Sequence, residues 1–337
     1  MSTLTADPAR TAPAGARPPR SRRMPRLGGP VWLVWRQHRA AFWTLLALTL
    51  LTALAMVHLR GELTSHLATS VRGGPDLEQH VGRLFSVGSF LGYVPVLAGV
   101  LIGAPLVAGD LETGTAKLVT SQSVSRLRWL TTKLVMPAAL IALSTTLLGA
   151  VFTWWWNPVR SQADTLEWTS GALFDVTGPM PAAYALLTFT VGAAVGMLLR
   201  RTLVSMVVTL GIVVAIGVVW DRFRLDLGNV LSVTTDTGVG PDARQPELPA
   251  QAVQQGQGTD FLTDSGARLD WTTCLDTMEN TRAHTACLKS KHVIGYAADY
   301  LPASEMQPMQ WLGAAIMLTA TAAVTTFIII WGRKRLL

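Results

Sequence analysis

Apolar residues along this chain gather into long unbroken runs, and the runs alternate with short polar segments. A bilayer core about 30 Å thick needs roughly 20 apolar residues per helix, because each residue rises about 1.5 Å. Six runs qualify: Ala40–Val57, Phe85–Gly109, Leu134–Trp156, Ala182–Leu199, Thr202–Trp220 and Met309–Trp331. They predict an all-α integral membrane fold with six transmembrane helices. In the short fourth run Gly192 and Gly196 stand four apart. Either they simply tolerate the membrane, or they give the small-xxx-small spacing that lets two helix backbones approach.

The polar segments divide the chain. Residues 1–27 are rich in Ala, Pro and Arg and read as a disordered leader, too long and too basic before the first apolar run for a cleavable signal peptide. Val31-Trp-Leu-Val-Trp-Arg-Gln-His-Arg39 has the pattern of an interfacial elbow helix, or of the start of a longer first span. Residues 28–220 form the membrane domain with the first five helices. Residues 221–308 are long enough for a small extracytoplasmic domain, with an irregular Gly/Pro/Gln-rich middle. Residues 309–337 supply helix six and a tail.

Composition supports the membrane reading: half the residues are hydrophobic and only 15% are charged, too few to cover a soluble globule. The charge of +7 is unevenly spread. With both termini cytoplasmic, the inner segments hold 17 Lys/Arg against three acids, and the outer ones 11 against 18. The basic excess is therefore a topology signal and not a nucleic-acid footprint. It predicts a multi-pass membrane protein in contact with lipid, and the resemblance drawn below implies the bacterial cell membrane. Trp43, Trp154 to Trp156, Trp220, Trp311 and Trp331 fall near span ends, where indole rings anchor at headgroups. The triple Trp at 154–156 also suits stacking of a substrate.

Two cysteines, Cys274 and Cys287, lie 13 apart in the last outer loop. A disulfide is the expected outcome on an oxidising side, and a Cys2His2 metal site with His284 and His292 is the rival. Among the inner segments, residues 110–133 stand out. Leu111, Thr115, Leu118 and Val119 recur at helical spacing, and Asp110 and Glu112 near the start suit a helix N-terminus. The segment reads as a short surface helix that a soluble partner can grip, or as an ordinary loop on the headgroups.

The chemistry that is missing narrows the function. These spans contain no charged residue and no His, which disfavours ion coupling and leaves no pair to activate water. No P-loop occurs, so the chain is not expected to be an enzyme. Work would have to come from a partner acting on the 110–133 segment.

Trp35-Arg-Gln-His-Arg39, Glu112-Thr-Gly-Thr115, Ser125-Arg-Leu-Arg-Trp129 and Lys133, in this order over six spans, resemble the permease subunits of ABC-2-type ABC transporters from GC-rich bacteria. The resemblance implies a permease paired with a second permease copy or paralogue and with two copies of a separate ABC ATPase subunit. ATP and Mg would bind to that ATPase, and no cofactor to this chain. It implies a coupling helix in the first inner loop, with Glu112, Thr115, Arg126 and Lys133 at the recurring positions; Asp110, Leu118 and Trp129 flank them. Tyr93, Thr145 and Thr319 are candidate pathway residues, and uncharged spans suit export of an amphipathic or lipophilic compound. A non-transporting immunity or sensor protein and a passive channel are the other readings. The long outer loop departs from the family plan.

Overall fold

A computed structural model of the chain describes residues 30–69, 75–114, 126–160, 167–240 and 243–335. Six of its helices are long and apolar enough to cross a membrane, in agreement with the six runs. Helix α1 (Pro30–Thr69) is unbroken. In place of a separate elbow, residues 31–39 are its first turns, since no Gly or Pro interrupts them, and Arg36 folds back over the Trp32 ring one turn earlier. At 40 residues the helix is about 60 Å long, twice a bilayer core. Its far end packs beside α2 (Pro75–Gly92), where Arg83 meets Glu62 at 3.0 Å and the rings of His66 and His80 stack with centroids 5.3 Å apart.

Span two is segmented. After α2 come a turn at Tyr93, α3 (Val94–Leu97), a π-helical turn (Ala98–Gly103) and α4 (Ala104–Glu112). Pro95 and Pro105 open α3 and α4, so each proline sits in a first turn, where its missing N–H is harmless. The π-helical turn between them is the wide-turn irregularity that bends helices. Span three, α5 (Arg126–Trp156), contains Pro137.

A short helix, α6 (Gly171–Phe174), then leads into α7 (Met180–Leu199), the most buried of the six spans. It packs against α4, α5, the π-helical turn, α8 (Thr202–Phe223) and the last span. Gly192 and Gly196 explain how: a methyl at Gly192 would overlap the Gly99 carbonyl, and one at Gly196 the Ala104 carbonyl. Packing, not mere tolerance, accounts for this pair. Thr188 Oγ1 donates to the Pro95 carbonyl at 2.6 Å, tying α7 to the segmented wall.

Between α8 and the last span, α10 (Met306–Arg335), lies a compact β-sheet domain. Its antiparallel strands are β1 (Leu231–Thr235), β2 (Val253–Gln254), β3 (Asp260–Thr263), β4 (Arg268–Leu269) and β5 (Val293–Leu301), ordered β1-β5-β3-β4 with β2 also on β5. The membrane part is all-α as expected, and the sheet is an addition. Helix α9 (Thr281–Ser290), capped by the Asn280 side chain, covers one face through Leu288, Phe261 and Val293. Cys274 and Cys287 are joined in a disulfide across that layer, with Cα atoms 6.1 Å apart. The metal alternative falls away. His284 Nδ1 is 3.1 Å from the Cys274 carbonyl, and His292 faces Asp264.

Candidate functional site

The candidate site lies where α4 ends and α5 begins, at the end of the bundle opposite the sheet domain. Asp110 and Lys133 form an ion pair that is 6% and 0% exposed respectively. Gln37 Nε2 of α1 donates to the second Asp110 oxygen at 2.7 Å. The Lys133 ammonium also sits 5.2 Å from the centre of the buried Trp129 ring. Leu106, Val107, Leu130 and Leu134 pack around the pair. One polar knot thus fastens the starts of spans one and three to the end of span two.

This changes the reading of the acidic pair. Asp110 and Glu112 do not start a surface helix; they are in the last turn of α4, which stops at Thr113 and Gly114, the latter at φ +72°. Glu112 does serve a helix N-terminus, but that of another helix: its Oε2 accepts from Thr202 N at 2.8 Å. Arg201, the residue before α8, provides no side-chain cap, so Glu112 supplies it from a neighbouring segment. The spans are also not free of charge, since Asp110 and Lys133 belong to the helical stretches. They neutralise each other, so neither is left as a coupling charge.

Of the other residues singled out from the sequence, Arg126 is the first residue of α5, while Thr115 and Leu118 lie outside the described residues. Between the two halves of the knot runs the segment 113–125, held at both ends. Gln37 was missed because a lone amide ahead of an apolar run carries no pattern. Its nearness to Asp110 is a product of packing alone.

At the opposite end a second polar cluster ties the segment before α7 to the ends of α8 and α10. Asp175 accepts from the Trp220 indole at 2.8 Å and from Arg224 at 3.1 Å, and Arg224 also reaches Asp221 at 3.0 Å. Burial raises the Asp175 carboxyl above the ordinary carboxylate range, and Arg224 and the indole oppose that shift. Gln310 of α10 donates to the Phe174 carbonyl at 2.9 Å and to Thr177 at 2.8 Å. The triple Trp divides: Trp155 and Trp156 are buried in the bundle, which removes them as stacking surfaces. Trp154 is exposed and stacked under the Arg60 guanidinium at 3.8 Å.

The expected pathway residues lie on three different elements. Tyr93 is exposed at the break in span two. Thr145 is buried and donates to its own helix at Ile141, and Thr319 does the same at Ala315. Thr145 lines a small cleft with Val94, Pro95 and Asp175, beside the segmented wall.

A family model for ABC-2 membrane transporter related proteins matches residues 40–224, more than half of the chain. The chain belongs to this family. The match covers spans one to five and ends at Arg224, so the sheet domain lies beyond it. No curated protein and no solved structure matches the chain. As an ABC-2 transporter-related protein it is a multi-pass transport component of a membrane and not itself catalytic, and its family associates with ABC ATPase partners in general.

Proposed function

We propose that this chain is the permease subunit of an ATP-driven exporter of an amphipathic or lipophilic compound, powered by two copies of a separate ATPase and working beside a second permease copy or paralogue. The observation that carries the reading is the Asp110–Lys133–Gln37 knot with its Glu112 brace. It ties the residues on either side of segment 115–125 to the ends of three spans. A push on that segment would therefore reach span two, whose π-helical turn gives it a place to bend.

The orientation that goes with it puts the knot on the cytoplasmic side and the sheet domain outside. The basic excess at the knot end supports this. A cysteine introduced at Ala250 should then react with an impermeant thiol reagent added to intact cells. Reaction from the cytoplasmic side alone would reverse the map.

The decisive measurement is cargo transport and ATP hydrolysis in a reconstituted complex, with co-purification of the ATPase as the binding control. Glu112→Ala, Thr115→Ala and a Gly-Pro insertion after Leu118 should each leave the chain inserted in the membrane while uncoupling hydrolysis from transport. Wild-type transport by all three would remove the coupling role of this loop. Absence of any ATPase partner would remove the exporter reading itself.

A further inference from the structure

Strand register leaves the sheet domain with one covered face and one open face. Side chains alternate along a strand, and cross-strand partners point the same way. Phe261 pairs with Tyr296 and faces α9 and the disulfide. Asp260 pairs with Ala297, and Ser232 with Asp299, so these four share the other face, away from α9.

Over that face runs a groove of about 370 Å³ with Ala297 as a low floor, within the size range of small-molecule sites. Trp271 forms one wall, its ring fixed against Gly258, where any side chain would meet it. Gln255 and Gln257 approach from the loop before β3, and Asp260, Asp270 and Asp299 complete the lining.

Its polar groups are pre-positioned. Arg268 donates to both Asp299 oxygens at 2.8 and 3.0 Å, and to Ser232 at 2.6 Å. Asp270 accepts from Thr272 N at 2.9 Å as well as from the Thr272 hydroxyl, which holds its carboxyl below the ordinary range. The groove therefore offers planar acceptors in the carboxylates, groups that both donate and accept in the amides, and one indole surface. Residues 221–308 carry twelve acids against seven Lys/Arg, which disfavours an anion.

A ligand matching this set is rich in hydroxyl donors and has an apolar C–H face to lie against an indole. The geometry points to a saccharide site on the open face of the sheet, with Trp271 as its platform and Gln257 and Asp260 as polar contacts. A free glycan and the headgroup of a glycolipid present the same chemistry to this groove.

The test uses the full chain in phosphatidylcholine nanodiscs. Saturation-transfer NMR with maltotriose and with chitotriose probes free glycans, and flotation with galactosylceramide-doped vesicles probes the lipid-linked form. At least one of these probes should bind. Trp271→Ala should weaken that binding at least about tenfold, or ~1.4 kcal/mol, with Trp271→Phe in between. Gln257→Ala and Asp260→Asn test the site without removing the ring, and Lys289→Ala on α9 should change nothing. An intact Cys274–Cys287 bridge and an unchanged circular dichroism spectrum show that each variant is folded. Binding of spermidine or Ca²⁺ with no saccharide bound, no binding at all, or saccharide binding indifferent to all three groove positions would overturn the assignment.

Discussion

Lys133→Met should destabilise the protein by about 3–5 kcal/mol, because it leaves the Asp110 carboxylate buried without its counter-charge. Lys133 is fully buried, and the Gln37 amide that also holds Asp110 carries no charge. Asp110→Leu should cost a similar amount for the converse reason, an ammonium left among leucines and a tryptophan. The double variant Lys133→Met/Asp110→Leu removes both charges together and should recover most of the loss, since well-packed apolar replacements of buried pairs are often neutral. Equilibrium unfolding of the purified chain in mixed micelles, run as a double-mutant cycle, measures the coupling. Additive costs in the double variant would mean that the two charges do not compensate each other. The same variant separates stability from function: a stable chain with defective transport would show that the pair also transmits force.

Period and length made the membrane part of this fold legible. Five of the six apolar runs each lie within one helix and the second covers the segmented span two, and the charge counts at the run ends located the loops. The sheet domain was not legible. β2 and β4 have two residues each, and β5 contains Gly295, Ala297 and Ala298, so alternation over four to eight residues never develops. The disulfide was legible from spacing and expected compartment, since it needs only two cysteines and a loop of ordinary size.

Of the candidate site, the residues were visible and their roles were not. Asp110 and Glu112 carry the signature of a helix start, but that signature does not say which helix. One acid is consumed by Lys133, 23 positions away, and the other caps α8, 90 positions away. Local rules score a residue against its sequence neighbours, and packing chose distant partners. The same holds at the other end, where Asp175, Arg224, Trp220 and Gln310 come from segments that no motif links.

Substituting the glycines of α7 should have the second large effect. A Cβ at Gly192 or Gly196 meets a backbone carbonyl of the segmented span, at Gly99 or Ala104, and not the end of a flexible side chain. Backbone atoms within two packed helices can yield only if the helices move apart. That separation would strip contacts from Thr188, Phe189 and Ala193 along the same interface. Overpacking of this kind costs about 1–3 kcal/mol per site, and Gly192→Val should exceed Gly192→Ala because two further methyl groups must be placed. Gly211→Ala, on α8 with nothing within 4 Å of the new methyl, is the control. It should be neutral or stabilising by up to about 1 kcal/mol through helix propensity. Thermal unfolding of the three variants in one lipid composition reads out the order. A Gly192→Ala chain as stable as Gly211→Ala would mean that α7 and the π-helical turn are not in backbone contact. Since that turn is where span two bends, Gly192 variants that fold should also transport more slowly, with their ATPase partner still bound.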